Sequence, residues 1–281
     1  MERTARDLPA RRLGRTGLEI VAVGLGAMDT PHSPEAAATV HAAIDAGANF
    51  IDTARDYAGS EHLLGQVIRE RGGADFHVAS KTFSRTADGA QREVDRSLSV
   101  LGVECIDLYQ LHDVSSAEAW ERVMGADGAL AGLGIAQARG LVRFLGVSTH
   151  DIDVLRLVIE SAAFDTVMVE YSAFHPATAP LIARAHERAI GVIAMRPLGG
   201  SGRTSIMRGQ IARGEVARGA AGALTPANLL RYVLSHPGVS VAIPGARYPS
   251  RVRENLETLA SFAPMAAEEQ RALEAAALAF D

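Results

Sequence analysis

Eight short β-prone runs recur along this chain, each followed by a longer amphipathic stretch: 20–25, 50–52, 76–80, 106–111, 144–148, 166–169, 191–195 and 239–243. No other feature restricts the fold as much. Most of these runs are continuously apolar rather than alternating, the mark of strands covered on both faces. Parallel strands joined through crossover helices receive that cover. Eight such repeats within 281 residues predict an α/β fold of the (β/α)8, or TIM barrel, type, forming one domain over residues 1–281. Helix starts are legible at Ser33-Pro34-Glu35, at Ser115 with Glu118 as a capping box, and at Thr225-Pro226.

Ahead of the first barrel strand, residues 11–13 and 18–20 flank Gly14-Arg15-Thr16-Gly17 and read as a short N-terminal hairpin able to plug the barrel bottom. The glycine- and arginine-rich stretch 199–222 reads as a mobile loop, either a lid over bound ligand or a disordered surface connection. The alanine-rich stretch 266–279 reads as a helix on the outside of the barrel or over its mouth. Cys105 is the only cysteine, which leaves no internal disulfide and no thiolate metal cage, and its apolar neighbours suggest a core thiol. The net charge of −5 is spread without blocks of one sign, which argues against nucleic-acid and membrane-surface partners. No apolar run approaches the roughly 18 residues of a bilayer span. The polar start at 1–9 has no apolar core, so a cytoplasmic location is expected.

Active sites of barrels lie at the C-terminal ends of the strands. Four polar residues fall there on adjacent strands: Asp52 closes the second, Tyr57 lies five residues later in its loop, Lys81 follows the third, and His112 closes the fourth. Lys81 is the only lysine among 28 basic residues. Arginine is a permanently charged fork, whereas lysine is a compact ammonium whose proton affinity responds to its surroundings. An isolated phenol titrates near about 10 and is a poor proton donor. An adjacent ammonium favours the phenolate and is expected to lower the Tyr57 pKa, while Asp52 holds that ammonium charged and oriented. Neutral His112 is placed to hydrogen-bond the same substrate oxygen. Such a set suits carbonyl reduction, with the proton from the protein and the hydride from a nicotinamide. The nine histidines are scattered, and His112 with His150 lacks a third ligand, so no metal site is expected.

The usual dinucleotide fingerprint is missing, because Gly24-Leu25-Gly26-Ala27-Met28-Asp29 has Asp29 where a third glycine belongs. The eighth strand instead ends in Ile243-Pro244-Gly245-Ala246 and runs through Arg247 to a helix starting near Arg251. Loops after strands seven and eight, with a helix N-terminus, commonly hold phosphate in barrels. Arg247 and Arg251 add charge suited to a 2′-phosphate.

Over essentially its whole length the chain resembles the aldo-keto reductases. The residues that carry the resemblance are Gly47-Ala48-Asn49-Phe50-Ile51-Asp52-Thr53-Ala54 with Tyr57, Ser60-Glu61 and Leu64-Gly65; Ser80-Lys81-Thr82; Ile106-Asp107-Leu108-Tyr109-Gln110-Leu111-His112; Gly146-Val147-Ser148; Arg196-Pro197-Leu198-Gly199; and Ile243-Pro244-Gly245 through Glu254-Asn255. The resemblance implies a (β/α)8 barrel that binds NADPH without a Rossmann domain and a tetrad of Asp52, Tyr57, Lys81 and His112, with Tyr57 as general acid. It implies that Arg251 contacts the 2′-phosphate and Asn255 the adenine. Ser148, Thr149, Met168, Met195, Arg196, Pro197, Leu198, Gly199, Gly245, Arg247 and Glu254 complete the implied cofactor site.

Several positions depart from the family pattern. Thr149, followed by His150, stands where many members have Asn, and Met168 where a Gln usually holds the nicotinamide amide. Met195 or Arg196 replaces a stacking Tyr, and Gly245 replaces a phosphate-contacting Lys. Glu170 and Tyr171 are near enough to compensate, so cofactor binding is expected to survive with altered affinity and with NADH as the second candidate cofactor. The expected activity is NADPH-dependent interconversion of small aldehydes or ketones with alcohols, extending to sugar lactols because the stretch 146–170 is most like microbial sugar-dehydrogenase-type members. Substrate choice is expected from Met28, Asp29, Trp120, Phe174 and His175. Two alternatives stand beside this reading: a Schiff-base lyase using Lys81, and a non-catalytic NADPH-binding regulatory subunit on the same fold.

Overall fold

The β/α alternation becomes a barrel in the computed structural model, which describes residues 8–213 and 224–280. The chain opens with an antiparallel hairpin of β1 (Ala10–Arg12) and β2 (Glu19–Val21). The barrel strands are β3 (Leu25–Gly26), β4 (Phe50–Asp52), β5 (His77–Thr82), β6 (Ile106–Leu111), β7 (Val142–Thr149), β8 (Thr166–Glu170), β9 (Gly191–Met195) and β10 (Val241–Ala242), all parallel and in sequential order. Parallel bridges Val23↔Ala242 and Gly26↔Gly245 close the ring, and Gly24 N donates to Ala242 O at 2.9 Å. The paired glycines that echo a nucleotide fingerprint serve this seam. A Cβ on Gly24 would lie 2.5 Å from Phe50 O and one on Gly26 2.8 Å from Ile243 O, so no larger residue fits without moving a strand.

The barrel interior has two layers, set by the two-residue period of a strand. Phe50, Ala79, Leu108, Met168, Ile193, Val241 and Ile243 face inward and pack on Leu13, Leu18 and Ile20 from the hairpin. The hairpin therefore plugs the bottom, as the sequence suggested. Arg11 of β1 pins it, donating to Val239 O at 2.7 Å and Leu234 O at 2.6 Å. Two residues further along the same faces come Asp52, Lys81, Gln110 and Glu170, which form a polar layer toward the mouth. A second, larger core between strands and helices takes the outward-facing Ile51, Val78, Tyr109, Val147, Val167 and Val192. No described helix is long and apolar enough to cross a membrane.

Several sequence expectations are corrected. The run 20–25 is two elements, because Ile20 and Val21 pair with the hairpin and only Leu25 and Gly26 join the barrel. Lys81 lies inside β5 rather than after it, paired in register with Gln110. Ser116, not Ser115, caps α4 (Ala117–Met124), accepting from Ala119 N at 3.1 Å. Thr225 caps α9 (Pro226–Ser235) as expected, with Pro226 at its first turn. Cys105 is partly exposed and not a core thiol. Of the supposed mobile loop 199–222, residues Ser201–Ala212 form a helix, α8, with Met207 buried; residues 214–222 lie outside the described residues. At the end of the chain α11 (Ala267–Leu278) packs on the core through Leu273, Ala276 and Ala277.

Candidate active site

Asp52 and Lys81 form the centre of the polar layer, at 2 % and 0 % exposure. Lys81 Nζ donates to Asp52 Oδ2 at 2.5 Å and to Thr53 O at 2.8 Å, and lies 3.4 Å from the Tyr57 hydroxyl. Gln110 Nε2 donates to the other Asp52 oxygen at 3.1 Å. An uncompensated buried charge is costly, and this pair survives burial because each ion is hydrogen-bonded on more than one side. Burial pushes the Asp52 carboxyl up, opposed by the charge and hydrogen bond of Lys81 and by Gln110. Burial acts to lower Lys81, but Asp52 and Tyr57 outweigh it, so the ammonium is held protonated.

Tyr57 behaves differently from the sequence expectation. Its half-buried ring raises the phenol pKa through desolvation, and the pull of Lys81 does not reverse this. At rest the phenol therefore carries its proton, with an ammonium beside it that stabilises the anion once the proton leaves. Lys81 Nζ also sits 4.6 Å from the Tyr57 ring centroid. His112 meets Tyr57 edge-on at 5.4 Å between ring centroids and stacks on Phe83 at 4.3 Å. Its Nδ1 is 2.8 Å from Asp56 Oδ1.

A buried polar network supports the loop that carries Asp56 and Tyr57. Thr53 Oγ1 donates to Ser60 Oγ at 2.7 Å, and Ser60 Oγ to Ala27 O at 2.9 Å. Glu61, in the first turn of α2 (Ser60–Arg71), pairs with Arg55 and accepts from Ser80 Oγ at 2.6 Å and Ser97 Oγ at 2.7 Å. The Ser60-Glu61 motif thus ties the Tyr57 loop to β5 and to α3 (Ala87–Leu101). Asp56, Gln110 and the Arg55–Glu61 pair were missed by sequence reasoning. Gln110 was open to discovery, because it sits at the inward period of β6 among apolar residues; Asp56 carried no signal, since only folding brings His112 to it.

On the other side of the mouth, Ser148 Oγ accepts from Asp113 N at 2.8 Å, and Thr149 Oγ1 accepts from Asp151 N at 3.0 Å. Met168 is buried inside the barrel, where a thioether offers an amide no strong partner. Glu170 gathers three basic side chains: His175 Nε2 at 3.1 Å, Arg196 Nη1 at 3.2 Å and His150 Nδ1 at 3.4 Å. Burial acts to raise Glu170, but His150, His175 and Arg196 hold it below its ordinary value. Met195 is partly buried, Pro197 and Leu198 are buried and Arg196 is exposed. Arg196 (φ 50°) and Gly199 (φ 81°) take left-handed backbone in the turn after β9. A side chain on Gly199 would strike the Phe174 ring.

After β10, Gly245 is exposed and Arg247 lies 3.5 Å from Asp29. The helix α10 (Pro249–Ala260) starts without a side-chain cap; Pro249 has no amide hydrogen and Arg251 N donates to Tyr248 O at 3.0 Å, which leaves the Ser250 amide open to an anion. Glu254 binds Arg251 at 3.1 Å and Arg208 of α8 at 2.7 Å. Asn255 is 5 % exposed, lines a small cavity with Gly24, Leu25 and Pro244, and makes no side-chain hydrogen bond among the described residues. An open helix start, two arginines on exchangeable carboxylates and an unpaired buried amide fit a phosphate-bearing nucleotide.

Residues 22–277 match the sequence model of the Aldo/keto reductase family. The chain is 30% identical to a 6-dehydroglucose reductase of Novosphingobium aromaticivorans, over 90% of this chain and 92% of that one. It is 25% identical to the uncharacterized oxidoreductase YqkF of Bacillus subtilis, over 94% and 95%. The holo form of the aldo-keto reductase AKR11C1 from Bacillus halodurans superposes with a TM-score of 0.77 at 20% identity, covering 96% of both chains, which supports the fold.

Proposed function

This chain belongs to the aldo/keto reductase family, and on that premise we propose an NADPH-dependent oxidoreductase that interconverts small aldehydes or ketones, sugar lactols among them, with alcohols. The observation that carries the proposal is the chain's one lysine, fully buried at the barrel mouth and hydrogen-bonded to Asp52 with the Tyr57 hydroxyl beside it. Tyr57 is the general acid in reduction and the general base in oxidation. When its proton passes to the substrate oxygen, the phenolate forms beside a fixed ammonium, and Asp52 keeps that ammonium charged and aimed. His112 orients the substrate oxygen from the other side.

The nicotinamide supplies the hydride in reduction and takes it in oxidation. Asn255 is the residue fitted to hold the adenine, and Arg251, Arg247 and the open start of α10 the groups fitted to the phosphates. The sugar class draws support from the 6-dehydroglucose reductase relative. A Schiff-base lyase needs a neutral amine as nucleophile, and the pairing that raises Lys81 works against one. The test is a panel of small aldehydes, ketones and sugar lactols assayed by NADPH oxidation or NADP reduction. Turnover that depends on Tyr57 is expected; a full panel without turnover, in a protein that binds NADPH, would favour a regulatory subunit.

A further inference from the structure

The contact between Asp56 and His112 lies one residue before Tyr57 and joins the loop after β4 to the end of β6, with Nδ1 and Oδ1 2.8 Å apart. An ionised carboxylate only accepts hydrogen bonds, so a ring nitrogen bonded to it must carry hydrogen. Asp56 is ionised at neutral pH: burial opposes this, but His112 holds its carboxyl below the ordinary value, with Lys81 helping. The neutral imidazole has one hydrogen. If that hydrogen sits on Nδ1, then Nε2 is a bare lone pair.

We propose that Asp56 is a positioning residue that fixes the proton of neutral His112 on Nδ1, so that Nε2 donates to the substrate oxygen only when His112 is the imidazolium. The geometry restricts the ring in the same sense. Phe83 covers one face of the imidazole and Tyr57 meets it edge-on. Arg85 holds the backbone from below, donating to His112 O at 2.8 Å and Asp113 O at 2.7 Å. The charged groups around the ring are Asp56, the buried Asp52–Lys81 pair, Arg85 and Asp113, and Asp56 is the one that bonds to it.

This inference rests on the carbonyl chemistry proposed above and adds a protonation requirement to it. With Nε2 a donor only in the imidazolium, neutral His112 accepts a hydrogen bond from an alcohol and gives a carbonyl nothing. Carbonyl reduction should then decline with rising pH as the imidazolium gives up its proton. An unpaired histidine could donate from a neutral Nε2–H and would show no such limb.

The experiment has two arms on the full chain. In the first, 15N-histidine NMR of the cofactor-free protein, with His112→Gln to assign the signal, reads the tautomer without any turnover. A neutral ring protonated on Nδ1 is expected, and a neutral ring protonated on Nε2 overturns the proposal. In the second, the pH profile of kcat/KM for carbonyl reduction is compared among the wild type, Asp56→Asn and Asp56→Glu. Asp56→Asn no longer holds the hydrogen on Nδ1, so its reduction limb should flatten, with Asp56→Glu restoring the wild-type limb. A limb that stays in place in Asp56→Asn, or a uniform loss of rate with the profile unmoved, assigns Asp56 a structural role and overturns the proposal. Because the first arm needs no substrate, failure of the carbonyl reading and failure of this one separate.

Discussion

The two sides of the barrel mouth use charge in opposite ways. On the side built by β4, β5 and β6, Asp52, Lys81 and Gln110 are buried and bonded to one another, and the loop bearing Tyr57 is tied down by Thr53, Ser60 and Glu61. On the side built by β8, β9 and β10, Arg196, Arg247 and Arg251 are exposed and rest on Glu170, Asp29 and Glu254. A group that moves a proton must already be fixed when the substrate arrives, since reorganisation at that moment raises the barrier. A group that grips an exchangeable anion must be releasable, and a half-exposed arginine on a surface carboxylate is held by only about 1 kcal/mol. On the proposed function, one side is organised before binding and the other is held in reserve by stand-in carboxylates.

That contrast can be broken most severely at Lys81. Lys81→Arg keeps the charge but must place a fork where a point donor is enclosed, so carbonyl turnover should fall on the order of 10³-fold or more. The site is fully buried, so overpacking should also cost about 1–3 kcal/mol in thermal or denaturant unfolding. Near-normal turnover would remove the case for a preorganised side. Tyr57→Phe should lower turnover by roughly 10²–10⁴-fold while a fluorescence titration finds cofactor affinity within about twofold, because the lost hydroxyl belongs to one side only. Parallel losses in both would mean that the two sides act as one.

Arg251→Ala tests the reserve side. Removing one charge-assisted hydrogen bond of about 1.5 kcal/mol should weaken NADPH binding about tenfold and leave NADH binding unchanged. Equal affinities of the wild-type protein for the two cofactors would sink the 2′-phosphate assignment. The smallest effect is expected at Glu170. Its carboxyl titrates below its ordinary value of 4.5 in the folded protein. The resulting stability is therefore fully present above about pH 4.5 and is lost as pH falls through the folded value. Glu170→Gln should flatten the acid end of the unfolding profile and lower neutral-pH stability by about 1 kcal/mol or less. A steeper acid dependence in the variant would contradict the sign.

Much of this molecule was legible before folding. Strand runs at 106–111 and 191–195 coincide with β6 and β9, and the plug was visible in the pattern around 14–17. Misreadings came where one local pattern served two geometries. The run 20–25 is uniformly β-prone, yet the chain leaves the hairpin at Val21 and enters the barrel at Leu25, a division set by what each end packs against. Residues 201–212 are polar enough to read as loop, and they are helical with Met207 on the core and Arg208 on Glu254. Gly24 and Gly26 looked like a failed phosphate loop because close backbone approach asks for glycine whether the neighbour is a ligand or another strand.

By itself the sequence determined the barrel, the strand ends that face its mouth, and the placement of Asp52, Tyr57, Lys81 and His112 on three successive strands. Those follow from periodicity, which is local and repeats eight times. Tertiary structure alone decided which partners these residues meet. Burial raised the Tyr57 phenol above its ordinary pKa where pairwise charge had suggested a lowering. Gln110 came to share Asp52 with Lys81, and Asp56 came to hold His112 across 56 positions of chain. Desolvation and long-range contact depend on everything that packs around a group, and no window of sequence contains them.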